Sequence, residues 1–422
     1  MILLDRNNIV EVLMLEIISF TPVVIILGNL VPPFPLKFHF YFFGLAFLCA
    51  MWILIKTASK KWVLYFAGFY LILQPMLGNW DVKSFIDFFF GPFVLLIMID
   101  LWVNNKIPKK LLLRYQKRFY YLLWVPVIIA VLQFFEILPL TFWNATYVNS
   151  AKIDGVYIPR PNGFLYHGSE LSIIICFLTL FQLFKPEKES FWRFILLFFI
   201  CIATYFKSIT ACVLLIFLYY LFFINSGSLS KFKLISKKRI YWYGGLILIV
   251  SIAIAVQYFY TVYKFTSNPF PNSMLTGRGG IWNVYLEGIK DFTFWNYLFG
   301  SGIGSAFEIF KDYAVQTYAP LIDIKKSEIT VLHDTHNAVL SIFVNSGIIG
   351  VLFIAFIFKM IYSLIISLPP SKKWNQKIFI AVFLIPLFTI GITINMYEMA
   401  IIWPCIGFLF YKWYSYARGL KD

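Results

Sequence analysis

Apolar runs of about 17 to 25 residues, the length an α-helix needs to cross a hydrocarbon core, recur along this whole chain. Lipid offers no hydrogen-bond partner, so such a chain must satisfy its backbone within each segment, as a helix does. The runs predict helices at about 10–28, 38–55, 62–78, 85–103, 119–137, 169–184, 191–206, 208–225, 242–260, 347–368, 378–396 and 399–416. The expected fold is therefore all-α and polytopic, about twelve transmembrane helices in a single domain over 1–422. Only 13% of the residues are charged and 60% are hydrophobic, whereas about a quarter of a soluble globular domain is charged.

The net charge of +16 raises nucleic acid as a partner, but its placement argues against that. Lys56, Lys60 and Lys61, the stretch Lys106 to Arg118, Lys185 to Arg193, Lys231 to Arg239, and Lys372 to Lys377 all fall in short connections between apolar runs. Cations in short loops mark the cytoplasmic side. Arg6 and Lys412 to Lys421 fall on that side too, so both termini are expected in the cytoplasm. No small-residue cleavage site follows the first apolar run, which is expected to be a retained helix. Cys49, Cys176, Cys201, Cys212 and Cys405 lie in apolar runs without metal-ligand spacing and are expected to pack as small hydrophobes.

The alternation leaves two substantial outward loops, about 138–168 and about 261–337. In the first, Pro159 and Pro161 bracket Arg160, ten positions before Glu170. A guanidinium can grip two phosphate oxygens at once; it can equally snorkel to lipid headgroups. In the second, Arg278 stands between Gly277 and Gly279-Gly280, where backbone can approach a ligand closely. Apolar residues at 281, 282, 285, 289 and 292 predict a helix from Ile281 to about Trp295, whose N-terminal amides would face an anion near Arg278. A solvated arginine in a glycine turn is the plain alternative. His333 and His336 form His-x-x-His without an obvious third ligand, so no metal or cofactor is expected. An imidazole titrates near neutrality and suits proton transfer, although His336 could instead cap the following helix. The apolar run 337–346 is too short to span; it dips into the membrane or extends the next helix.

Taken in order, Arg160-Pro-Asn-Gly-Phe, Ser208-Ile-Thr-Ala, Arg278-Gly-Gly-Ile-Trp, Leu298-Phe-Gly-Ser-Gly-Ile-Gly, His336-Asn-Ala-Val-Leu and Asn345-Ser-Gly-Ile-Ile-Gly resemble the bacterial O-antigen polymerase and O-antigen ligase superfamily. The similarity covers about 155–355, and Ser208 lacks the arginine often found beside the family's serine. The resemblance implies an inner-membrane glycosyltransferase of C-type architecture in lipopolysaccharide or other polysaccharide biosynthesis. Its donor would be an undecaprenyl-pyrophosphate-linked oligosaccharide, used at the outer face without metal or nucleotide sugar. Arg160 and Arg278 would bind the pyrophosphate, and His336, with Glu170, would handle the acceptor. Membrane lipids are the other expected partners, with room for a chain-length regulator. A polymerase is the leading expectation and a ligase the alternative. A flippase for the lipid-linked glycan fits the helix count too, but no inverted repeat is visible.

Overall fold

Every residue from Phe88 to Trp102 is buried, so one helix of this chain is enclosed on all sides. It is α5 (Val82–Val103), and its all-round apolar sequence is what a central helix requires. The structure is a computed structural model that describes residues 8–30, 38–57, 61–77, 82–104, 106–139, 150–153, 156–159, 161–165, 168–183, 193, 196–198, 200–201, 207–219, 278–303, 306–313, 337–368, 372–391 and 401–417. The span expected at 242–260 lies outside these residues, and that at 191–206 falls within them only in scattered positions.

The expected runs otherwise become helices. The first is broken in two, α1 (Ile9–Ser19) and α2 (Thr21–Leu30), bent by 58°. Pro22 explains the break, since it lacks an amide donor and suits the first turn of a new helix. Ser19 and Thr21 hydroxyls donate to the carbonyls of Glu16 and Ile18. Then come α3 (Phe38–Lys56), α4 (Lys61–Leu77), α5 and α6 (Lys109–Phe134). The guanidinium of Arg118 on α6 pairs with the Glu16 carboxylate and lies over the Phe20 ring, pinning the bend.

After α6 the chain forms an antiparallel hairpin, β1 (Ser150–Ile153) and β2 (Val156–Pro159), with Ile153 opposite Val156. The expectation of an irregular loop from 138 to 168 missed it, although Asp154-Gly155 is the dipeptide that favours a two-residue hairpin turn. Helices α7 (Gly168–Leu183) and α8 (Lys207–Tyr219) follow. The segment expected as the second outward loop contributes α9 (Arg278–Lys290), α10 (Phe294–Phe299) and α11 (Ala306–Tyr313). The last part is α12 (Ala338–Ile366), α13 (Lys372–Phe379), a π-helical turn (Ile380–Leu384), α14 (Ile385–Thr389) and α15 (Ile402–Ala417).

Helix α5 packs against α3, α12 and α15. Its Gly91 faces the Trp403 indole so closely that a Cβ there would fall 2.0 Å from Nε1, which is why no larger residue fits. All five cysteines are reduced and buried, as expected of small hydrophobes. Cys176 on α7 and Cys212 on α8 lie with sulfurs 3.8 Å apart. By length and composition α6 and α12 can each cross a membrane, and α1 with α2 makes a third span if the bent pair is counted as one. Shorter apolar helices, among them Tyr41–Lys56 and Phe88–Val103, lie alongside.

Candidate functional site

The segments expected to form the two outward loops are fastened to α6 and α12, and those two attachments frame the candidate site. The first is the turn after Arg160. Gln133, one residue from the end of α6, is 2% exposed, and Asn162 is 8% exposed. The Gln133 Oε1 accepts from the amides of Asn162 and Gly163, at 3.1 and 2.9 Å. Its Nε2 donates to Asn162 Oδ1 and to the Pro139 carbonyl, at 3.1 and 3.0 Å. Asn162 Oδ1 also accepts from Phe164 N. The turn needs such support because Gly163 and Phe164 both have positive φ, +64° and +61°, a strained region for phenylalanine. At Gly163 a Cβ would meet the Pro126 carbonyl oxygen at 2.3 Å, so glycine is required.

The second attachment joins two motifs that begin 47 positions apart in sequence, Leu298-Phe-Gly-Ser and Asn345-Ser-Gly. Helix α12 is broken at Gly347, where φ is +65° and ψ −168°. A break of this kind leaves carbonyls of the preceding turn without helical donors, which is costly where no water can replace them. The Val344 carbonyl accepts from Ser301 N and Oγ, at 2.8 and 2.9 Å. The Ser346 carbonyl accepts from the Tyr70 hydroxyl of α4. Gly300 and Gly347 let the two backbones touch: a Cβ on either would lie 2.4 Å from main-chain atoms of the other segment. The run 337–346 is thereby the first part of α12, extending the next helix.

Around this joint, Val284 and Tyr285 of α9, Phe310 of α11 and Val344 of α12 form a small buried cluster separate from the main core. Thr293 caps α10, its hydroxyl accepting from Asn296 N while Asn296 Oδ1 accepts from Thr293 N. That cap ends the helix expected to run from 281 to 295; the real one starts at Arg278 and stops at Lys290. The Tyr313 hydroxyl donates to the Asp291 carboxylate, tying the ends of α11 and α9. This hydrogen bond holds the Tyr313 pKa above its usual value.

Of the four expected site residues, Arg278 opens α9, in the turn whose amides have no helical acceptor. Its glycine neighbours Gly279 and Gly280 are therefore helical rather than a loop. Glu170 sits half-buried in the first turn of α7, where a carboxylate also favours the helix N-terminus. Arg160 and His336 lie outside the described residues, each directly beside described ones: Pro159 and Pro161, and Asn337. The cap of α12 is Asn337, whose side chain accepts from Val339 N and Leu340 N at 3.0 Å; the sequence had suggested His336. From Ala338 an apolar cavity of about 180 Å³ runs between α12, the π-helical turn and α15, with Ile342, Phe358, Phe383 and Trp403 in its wall. Gln133 and Tyr70 escaped the sequence, because a single polar residue in an apolar run carries no pattern; Ser301 stood within a quoted motif, but its partner did not show.

These features define a helical membrane protein with segments long and apolar enough to cross a bilayer, in which α10 is locked to the broken helix α12. Residues 192–355, about two fifths of the chain, match the family model described as O-antigen ligase. The match supports the O-antigen ligase and polymerase superfamily that the motifs resemble, and it encloses Arg278, His336 and both halves of the joint. No curated protein and no solved structure matches the chain.

Proposed function

We propose that this chain is a membrane glycosyltransferase that polymerises a surface polysaccharide. Its donor is a glycan repeat on undecaprenyl pyrophosphate, used at the outer face of the inner membrane by a domain of about twelve spans, C-type in architecture, with both termini cytoplasmic. The observation that carries this is the family match over 192–355, which encloses Arg278, His336 and the joint. An acceptor hydroxyl attacks the anomeric carbon with inversion. The bond from that carbon to the pyrophosphate oxygen breaks, and the electron pair leaves with the pyrophosphate. Arg160 and Arg278 stabilise the charge that develops there, and the amides opening α9 suit the same anion. His336, with Glu170, takes or orients the acceptor proton. The apolar cavity lined from Ala338, which follows His336-Asn337 in the sequence, offers a surface that suits hydrocarbon.

A ligase is the second reading, favoured by the family's own description. It shares donor and chemistry but delivers finished glycan to lipid A core or to a protein. Purified protein reconstituted with a short lipid-pyrophosphate-linked saccharide, with and without EDTA, tests both. Products growing by whole repeats in both samples support a metal-independent polymerase. Transfer only after addition of lipid A core makes it a ligase. In cells, Arg278→Ala at normal protein level is expected to abolish elongation, and full-length ladders from that variant would refute the assignment.

A further inference from the structure

We propose that Gln133 is a positioning residue for Arg160, which rests on the reading of Arg160 as the pyrophosphate-binding arginine. An amide side chain has two donor hydrogens and one oxygen with two lone pairs. Gln133 has all of them engaged: the oxygen on two successive amides, the nitrogen on Asn162 Oδ1 and the Pro139 carbonyl. The gripped amides are the second and third after Arg160. On the other side of Arg160, Pro159 closes the second strand of the hairpin, and Pro161 follows it, buried. Proline fixes its own φ and restricts the residue before it. Gln133 thus fastens to the end of α6 the two residues that follow Pro161, and the sequence sets prolines on both sides of Arg160.

A glutamine buried at the end of a span is costly to desolvate unless every bond is made. Packing alone would be served by leucine, which has a similar size. What leucine cannot do is hold the consecutive amides of Asn162 and Gly163 in a turn whose two positive φ values oppose it. The clamp thus holds the turn that directly follows the arginine, and a displacement of about 1 Å at a group that stabilises a leaving anion can cost on the order of 100-fold in rate.

The test is a double-mutant cycle on reconstituted protein, with kcat and donor KM measured separately and melting followed in parallel. Gln133→Leu is expected to lower kcat by roughly 10- to 100-fold. Arg160→Lys keeps a charge but loses the bidentate grip and leaves a measurable rate. If Gln133 acts through Arg160, the double variant is slowed by much less than the product of the two single effects. Full multiplication, or an unchanged kcat in Gln133→Leu, overturns the inference while the glycosyltransfer reading stands. Arg160→Ala at the wild-type rate overturns the role of Arg160 and the inference with it. If wild-type protein transfers only to lipid A core, the same cycle run on that transfer gives the same decision. No transfer of either kind overturns both readings. Hydrogen exchange at Asn162 and Gly163 reads the clamp without any activity: it is expected to accelerate in Gln133→Leu, and unchanged exchange overturns the inference.

Discussion

Gly347→Ala tests whether the joint between the outward helices and α12 is as tight as described. Two separate penalties arise. At φ +65° and ψ −168° the backbone occupies a region that is almost exclusively glycine's, and an alanine held there costs about 1–3 kcal/mol. The new Cβ would also lie 2.4 Å from the carbonyl carbon and oxygen of Leu298 and 2.5 Å from Phe299 N. These are main-chain atoms, so no side chain can swing away; α10 must shift, and overpacking of this kind costs about 1–3 kcal/mol. Together the loss is about 2–6 kcal/mol. At about 2 °C per kcal/mol for a chain of this size, the melting temperature falls by roughly 4–12 °C.

The chain carries its own reporter for this experiment. All five cysteines are buried, so a thiol-reactive dye in detergent registers unfolding without added labels. The control is Gly68→Ala in α4, where a Cβ meets nothing within 4 Å. In a helix interior, alanine is favoured over glycine by up to about 1 kcal/mol, so this variant is expected to melt at or slightly above the wild type. Gly347→Ala melting within 2 °C of the wild type, or Gly68→Ala falling equally far, would refute the reasoning.

Tyr70→Phe removes the donor that meets the Ser346 carbonyl and is expected to cost about 1–3 kcal/mol, read in the same melt. Asn337→Ala removes the cap of α12 at about 1 kcal/mol; Asn337→Asp, which keeps the acceptor, is expected to restore the melting temperature. Arg278→Lys is expected to elongate more slowly than wild type and faster than Arg278→Ala, because lysine keeps the charge and loses the fork; equal rates for all three would remove Arg278 from the mechanism.

The helices were legible because the bilayer length filters sequence strongly: α3, α4, α5 and α7 lie within a few residues of their expected positions. What escaped was set by single residues acting across the chain. The break at Phe20 follows from one proline within a continuous apolar run, and the start of α9 at Arg278 places two glycines in a helix that propensity disfavours. The cluster of Val284, Tyr285, Phe310 and Val344 supplies the packing that overrides it. The hairpin at 150–159 left only a dipeptide signal. Arg278 and Glu170 could be singled out by residue type, whereas the roles of Gln133 at the turn 162–164 and of Ser301 at the joint gave no sign, since their partners are backbone groups 29 and 43 residues away.

The joint also separates two kinds of motif residue that looked alike in sequence. Gly300, Ser301, Val344, Ser346 and Gly347 have their requirements met within the joint: two glycines for backbone approach, one serine and one tyrosine for the freed carbonyls. Nothing in that arrangement calls for a substrate, so these motifs are explained by the architecture. Arg278 stands apart from these residues: it opens α9, and a helix N-terminus is the least favourable end for a cation because the macrodipole opposes it. If Arg278 is the pyrophosphate-binding arginine of the proposed function, the anion offsets that opposition, since both a guanidinium and a helix N-terminus suit a phosphate. On the proposed function, the donor is met at Arg278 rather than at the glycine motifs.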